Sequence, residues 1–481
     1  MNYRMVIYIL GRMLGIEALI LQIPMIVSLI YGENCAQDFM LTGAVLLVLF
    51  LILGRKVPEN TNIYGKDGFV IVAFAWIFWS FFGAIPFCTT GAIPNFIDAF
   101  FETVSGFTTT GSTILTDIEV LPKGLLFWRS LTHWIGGMGV LVFVMVLTSL
   151  NEKQSMHLMR AEVPGPEADK LLPKAKNNAR LLYAMYLALT VLEILFLLAG
   201  GMNLYDSITH SFSTAGTGGF SNRNASIGFY DSAYIDGVIT VFMILFGVNF
   251  NMYFLLLIKE VKSVWKNEEV RAYFIIIAGA IAAITINTYS VYESIGKAFR
   301  YSAFQVASII TTTGFGTADF NMWPEFSKAI LMTLMVIGAC AGSTGGGMKV
   351  SRFLILLKSI KKEVKQLLHP KAVSVTRINE KKVGADTLRG VYIYFFAYIL
   401  ILVVSVLIVS LNNFDFSTTF SSVLTTLNNV GPGISLVGPT ENFAKFSGLS
   451  KLVFCFDMLA GRLEIFPILM VMSPSLWRRR F

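Results

Sequence analysis

Thr312-Thr313-Gly314-Phe315-Gly316 is the stretch around which the chain is organised, because variants of it occur four times. Aligned on the central glycine, the copies read Thr109-Thr110-Gly111, Thr214-Ala215-Gly216, Thr312-Thr313-Gly314 and Asn429-Val430-Gly431. A second glycine follows two residues later at Gly218, Gly316 and Gly433, with Thr113 at that place in the first copy. Four positions before each central glycine stands an apolar residue: Phe107, Phe212, Ile310 and Leu427. The central glycines are 105, 98 and 117 residues apart, and each strip follows a short helix-like run between long apolar segments. One such Thr/Gly cluster alone reads best as loop capping. Four in register with the hydropathy read as one polar strip per membrane unit, which is what a pore with four-fold pseudosymmetry requires.

A potassium ion that enters lipid must exchange its waters for other oxygens, and backbone carbonyls aimed at a common axis supply them. Glycine takes the alternating backbone conformations that point successive carbonyls inward, and threonine adds a hydroxyl. The pattern Thr-x-Gly-x-Gly resembles the filter sequence of potassium channels.

Composition places these strips in a membrane. Of 481 residues, 55% are hydrophobic and 14% charged, against roughly 25% charged in soluble domains, and the mean hydropathy is +0.66. Residues 1–30 combine a basic start with an apolar run but no small-residue cleavage site, so they read as a retained helix. Cys35, Cys88, Cys340 and Cys455 show no paired spacing, which argues against a disulfide framework or a zinc site.

The pattern predicts an all-α polytopic membrane protein. Apolar runs at 5–30 and 39–54 form a hairpin with Glu33 and Asp38 at its turn. Four units follow, each a helix, a half-helix, a strip and a second helix: 68–88, 95–107 and 124–150; 180–200, 204–213 and 233–258; 272–289, 296–310 and 325–357; 390–411, 415–427 and 448–472. The half-helices are too short to cross about 30 Å of hydrocarbon and must be re-entrant, with the negative ends of their dipoles at the strips. The chain therefore divides into an N-terminal hairpin (1–60) and four pore units (61–155, 156–262, 263–375 and 376–481), with ten spanning segments and four re-entrant ones.

With both termini inside, the interior loops 55–67, 151–180, 259–271 and 349–389 and the tail hold 3, 6, 4, 11 and 3 Lys/Arg, together 27 of the chain's 38. This positive-inside distribution accounts for the net charge of +8 without nucleic acid. The densest basic region, 349–389 with Lys361-Lys362 and Lys381-Lys382, reads equally as topology signal with lipid-headgroup contact and as a dock for a cytosolic partner.

The last segment of the third unit carries Gly338-Ala339-Cys340-Ala341-Gly342-Ser343-Thr344-Gly345-Gly346-Gly347. A helix-interior glycine costs about 1 kcal/mol relative to alanine, so the helix breaks here. Non-helical backbone at membrane depth is tolerated where it lines a watery cavity, which places a flexible loop below the strips. Gly342 and Gly347 have P-loop spacing, but Met348 stands where the lysine should be and no strand precedes. Arg462, in the middle of the last apolar segment, is either an ion-pair partner of Asp457 or Glu464, or a positive charge near the cavity that limits ion exit. Gly342, Gly345, Gly346, Gly347 and Arg462 are thus candidate gate residues. His133 and His210 read as lying near the extracellular ends of helices, Asp206 and Asp415 as N-caps of half-helices. No transition-metal spacing, no acidic relay through the helices and no intramembrane nucleophile–base pair is found.

Ser105-Gly106-Phe107-Thr108-Thr109-Thr110-Gly111-Ser112, Ser213-Thr214-Ala215-Gly216-Thr217-Gly218-Gly219-Phe220, Thr311-Thr312-Thr313-Gly314-Phe315-Gly316 and Asn428-Asn429-Val430-Gly431-Pro432-Gly433 together resemble the Trk/Ktr superfamily of potassium transporters. Trp134-Ile135-Gly136-Gly137-Met138-Gly139 and Gly461-Arg462-Leu463-Glu464 are similar in the same way, and the extra hairpin is more similar to the TrkH branch than to the shorter KtrB branch. The resemblance covers nearly the whole chain. It implies potassium uptake across a bacterial plasma (inner) membrane by a homodimer with one pore per protomer. It also implies a cytosolic regulatory subunit (TrkA/KtrA-like) that binds ATP/ADP or NAD, and no covalently bound cofactor. It matches Gly111, Gly216, Gly314 and Gly431 to the filter glycines, residues 338–347 to the gate loop and Arg462 to the gate arginine. Asn429 and Pro432 depart from the pattern, so fewer well-formed ion sites than in a symmetric channel are expected. A sodium- or proton-coupled symporter is the alternative to a potassium-conducting channel.

Overall fold

The computed structural model describes residues 1–139, 175–371 and 375–477. Expectations that fall on 140–174, on 372–374 and on the tail beyond 477 lie outside them. The N-terminal hairpin pairs Tyr3–Ile20 and Gln22–Ile30, one span broken at Leu21, with Ala36–Leu53. A Cβ on Gly11 would lie 2.7 Å from the backbone nitrogen of Gly54, so the two helices touch backbone to backbone. Close approach at small residues is how helices associate in lipid, where tails are as apolar as leucine and burial alone gives no drive. The buried Trp79 indole donates to the Met13 carbonyl at 3.2 Å and fastens the hairpin to the first unit. Glu33, at the hairpin turn, accepts the backbone N–H groups of Lys123 and Gly124 and so caps the second helix of that unit.

The four units have the expected order. Their first helices are Gly65–Gly83 (continued by Ile85–Thr89), Ala175–Ala199, Glu268–Tyr292 and Ala385–Val409. Their half-helices are Phe96–Phe107, Leu204–Ala215, Ile295–Ile310 and Phe416–Leu427. Three of them have 12 residues and Ile295–Ile310 has 16, about 18 and about 24 Å long, too short to span. Side chains start three of them: Asn95 accepts from Ile97 N, Asn203 from Asp206 N and Asp415 from Thr418 N.

The second helices depart from expectation. Only the third was predicted to break, yet the second and fourth are broken as well. Ala233–Phe246 and Phe250–Leu257 meet at 93°. Gly448–Arg462 gives way to Phe466–Met472 through Glu464 and Ile465, both at positive φ. In the first unit Lys123–Gly137 ends at Met138, and Gly139 takes φ +89°. The third runs Glu325–Ile337, then a non-helical stretch, then Val350–Leu368. Among the described residues, six spans are long and apolar enough to cross a membrane without such a kink.

Trp76, Trp79 and Trp128 of the first unit are fully buried. Large apolar side chains such as Leu19, Ile286 and Phe396 instead stand more than two-thirds exposed on the outside. With spans of this length, that arrangement is an integral multi-pass membrane protein facing lipid.

Candidate ion pathway and its closure

Each half-helix ends in the same turn. The backbone N–H groups of Thr110, Gly218, Thr313 and Val430 donate to the carbonyls of Ser105, Ser213, Ser308 and Thr425 at 2.9, 2.8, 2.8 and 3.0 Å. The residue before each is left-handed (Thr109, Thr217, Thr312 and Asn429, φ 53–60°), and the residue after each is a glycine at φ 81, 79, 84 and 100°. A left-handed non-glycine residue costs about 1–3 kcal/mol, so every unit holds the same locally unfavourable geometry.

This fixes a register that the sequence alignment misplaced. The second-unit equivalent of Thr109-Thr110-Gly111 is Thr217-Gly218-Gly219, three residues beyond Thr214-Ala215-Gly216. Ala215 is the last residue of the half-helix, and Gly216 is its cap at an ordinary φ of −69°. The residue equivalent to Phe107, Ile310 and Leu427 is accordingly Ala215 and not Phe212.

The strips close on one another. A Cβ on Gly111 would lie 2.1 Å from the carbonyl oxygen of Gly218, one on Gly219 2.1 Å from that of Thr313, one on Gly314 2.2 Å from that of Val430, and one on Gly431 2.7 Å from that of Thr110. The units therefore succeed one another around a ring in chain order and back to the first. Above it opens a vestibule of about 160 Å³ whose lining includes Gly111, Gly219, Gly314 and Gly431. Below the glycines, hydroxyls cluster: Thr108 with Thr110 at 2.8 Å and Thr311 with Thr313 at 2.7 Å. Asn429, in place of a threonine, donates to the Thr110 hydroxyl at 3.0 Å and to the Met458 carbonyl.

Several polar residues lie where the sequence did not place them. Glu102 and Arg129 form an ion pair, 0% and 2% exposed, behind the first strip. His133 and His210 are buried behind the second strip, His133 toward the C-terminal end of Lys123–Gly137 and His210 in the middle of Leu204–Ala215. His133 stacks on Phe220 at 4.2 Å, and His210 Nε2 is 2.9 Å from Ser221 Oγ. Asp415 is the N-cap expected, and hydrogen bonds, chiefly from the Thr418 hydroxyl, hold its carboxyl below the usual range. Asp206 is not a cap: its carboxylate accepts from Asn222, Arg223 and Tyr230. Asp457 sits buried within its helix, as do Glu17 and Glu193, two carboxylates that the sequence reading passed over.

Under the ring, residues 338–349 bond to the second, third and fourth units, and Arg462 links them to the first. Cys340 N donates to the Gly247 carbonyl and Phe250 N to that of Gly342, at the break of the second unit. Gly346 N donates to the Thr312 hydroxyl at 2.6 Å and Gly347 N to the Asn428 carbonyl at 3.0 Å, at the feet of the third and fourth strips. Arg462 donates from Nη1 to the Thr344 carbonyl and from Nη2 to the carbonyls of Gly136 and Gly137. Its two expected partners are engaged elsewhere: Glu464 pairs with Arg352, and Asp457 accepts from Ser405. Gly338, Gly342 and Gly347 are at φ 70–73°, and the buried Lys349 ammonium donates to the Gly345 carbonyl. The Glu269 carboxylate accepts from Ala341 N at 2.7 Å and Ser351 N at 3.0 Å, holding both ends of the loop.

Of the candidate residues, then, Thr109, Thr110, Gly111, Thr312, Thr313, Gly314, Asn429, Val430 and Gly431 meet around the ring. Thr214, Ala215 and Gly216 belong to the supporting half-helix and its cap. Gly342, Gly345, Gly346, Gly347 and Arg462 meet beneath it. Among the described residues no group of three or more His, Cys, Asp or Glu is placed to hold a metal.

A family model described as TrkH, cation transport protein, matches residues 35–479. The Trk system potassium uptake protein TrkH of Salmonella typhimurium is 36% identical over 487 residues, covering 99% of this chain and all of that protein. Its counterpart from Halomonas elongata is 34% identical over 487 residues, with both chains fully covered. The crystal structure of the potassium transporter TrkH from Vibrio parahaemolyticus superposes with a TM-score of 0.89 at 34% identity, covering 99% of this chain and all of that one. The chain belongs to the TrkH family of cation transport proteins.

Proposed function

We propose that this chain is the membrane subunit of a potassium uptake system, in which the ion passes through the ring of four strips and is held back by the loop and arginine beneath it. The observation that carries the reading is the closed succession of strips, each left-handed glycine abutting a carbonyl of the next. Backbone oxygens arranged in this way replace a cation's water shell. The half-helix C-termini at the strips add the negative ends of their dipoles. Ten of the twelve strip residues in register are glycine or threonine, and the two exceptions, Asn429 and Val430, make the fourth strip unlike the others, which favours fewer ion sites than a symmetric channel has.

Residues 338–349 and Arg462 act as the gate: the loop lies across the path, and a fixed positive charge in a cavity of low dielectric repels a cation. The membrane is the bacterial inner membrane, with both termini and the basic helix Val350–Leu368 on the cytosolic side. Two protomers assemble, each with its own pore, and a TrkA/KtrA-like subunit carrying ATP/ADP or NAD docks on the cytosolic face. The relatives' names support a potassium substrate and a multicomponent system.

The test is rubidium uptake into proteoliposomes of the purified chain with sodium as competitor. Uptake that sodium does not suppress supports the reading, and equal handling of both ions refutes it. The buried carboxylates Glu17, Glu193 and Asp457 favour a second reading, coupled symport. Flux that depends on an imposed proton gradient would select it.

A further inference from the structure

We propose that the buried pair Glu102–Arg129 is a brace that determines ion preference by fixing the outer ends of the first and second strips. This inference rests on the filter reading above. Nine residues before the left-handed glycines stand Glu102, His210, Gln305 and Ser422, and two residues after them stand Thr113, Ser221, Gly316 and Gly433. In the first two units these positions are joined by side chains. Glu102 accepts from the Thr113 hydroxyl at 2.9 Å and from Ile114 N at 3.0 Å, and His210 Nε2 meets Ser221 Oγ at 2.9 Å.

The last two units have glycine where the hydroxyl would be, and they are held differently. Ser308 and Thr425 donate to the carbonyls of Phe315 and Pro432 at 2.7 and 3.1 Å, one residue beyond the left-handed glycine. Those two carbonyls are thus engaged by the scaffold. The outer mouth of the ring is supported in two distinct ways, by side chains at units one and two and through backbone oxygens at units three and four.

Arg129 links the two side-chain-held strips. Its guanidinium donates from Nε to Glu102 at 2.8 Å and from Nη1 to the Ser221 carbonyl at 3.2 Å, and it lies 4.0 Å over the ring of Phe220, the residue next to Gly219. Phe220 is stacked in turn on His133. Both members of the pair are buried, so their bond is little screened by solvent. A planar guanidinium can engage the carboxylate of one unit and a carbonyl of the next with fixed angles, which a lysine ammonium cannot. The contacts of Glu102 and Arg129 fall on Thr113, Ile114, Phe220 and Ser221, just beyond the ring glycines, although Arg129 also reaches the lining of the vestibule. The two are positioning residues that set how far apart two of the four strips stand, and a ring of oxygens discriminates between ions only while that spacing is held.

The experiment is rubidium uptake into proteoliposomes of the full chain against increasing external sodium, for the wild type and for Glu102→Gln, Arg129→Lys and Thr113→Val. The brace predicts that sodium competes several-fold better in Glu102→Gln and Arg129→Lys, and less so in Thr113→Val, while maximal rubidium flux per folded molecule is kept. Should Glu102→Gln fail to fold, Arg129→Lys and Thr113→Val decide. Folded Arg129→Lys with wild-type sodium competition overturns the brace whatever the other variants do. A wild type that takes up rubidium without excluding sodium refutes the filter reading itself, which separates the two failures.

Discussion

Arg462 donates from Nη1 to the carbonyl of Thr344 at 2.7 Å, tying the helix below the fourth strip to the glycine-rich loop. Through Nη2 the same guanidinium holds the carbonyls of Gly136 and Gly137 in the first unit. Arg462→Ala removes a charge and three donated hydrogen bonds from the same place. Unregulated potassium flux should rise while preference over sodium is kept, and deletion within 342–347 should do the same. Flux normalised to detergent-stable protein is the measurement. A fall in folded protein with no gain in flux per molecule, in both variants, would remove the gate.

Glu269 fastens both ends of that loop with one carboxylate. Glu269→Ala leaves the N–H groups of Ala341 and Ser351 without their acceptor, at about 1–3 kcal/mol for each buried orphan. The melting temperature in detergent should fall, and flux through the remaining folded protein should rise. Glu269→Gln retains an acceptor oxygen and should lie between Glu269→Ala and the wild type. Equal melting temperatures for all three would show that the latch contributes nothing.

Lys361 and Lys365 are exposed, and Lys362 is half-exposed, on the helix Val350–Leu368. If this helix meets a cytosolic regulator, neutralising all three should weaken co-purification and steepen its loss with salt, since exposed charge pairs are screened within about 8–10 Å at ordinary ionic strength. Binding that is the same at every ionic strength would leave the lysines their topological role alone.

The half-helices and the broken third helix were legible because length and glycine content are local properties. A 12-residue apolar run cannot span, and the glycines of 338–347 cannot sustain a helix. The second strip was misplaced because Thr214-Ala215-Gly216-Thr217-Gly218-Gly219 offers two Thr-x-Gly matches. Which glycine turns left-handed depends on where the half-helix ends, and nothing in the six residues says so. The break after Arg462 was missed although Pro467, in the first turn of the helix that follows it, was the available signal. Glu102 and Arg129 are 27 residues apart in the chain. The available signal was that each is a charge in the interior of an otherwise apolar helix, and such residues pair. The partners of Arg462 were misjudged because proximity in sequence suggested Asp457 and Glu464, while the loop brings carbonyls from over a hundred residues away.

The central claim is that Gly111, Gly219, Gly314 and Gly431 form the selective ring, and sodium competition against rubidium uptake in single serine variants tests it most directly. A Cβ at any of the four faces both a left-handed φ and a neighbouring carbonyl within 2.7 Å, so each variant should lose preference for rubidium more than it loses folded yield. Gly216→Ser is the discriminating control. Its Cβ would lie 2.2 Å from the His133 carbonyl behind the strip, so folded yield should fall while the surviving protein keeps its ion preference. Unchanged preference in Gly219→Ser, or lost preference in Gly216→Ser with Gly219→Ser unaffected, would contradict the account.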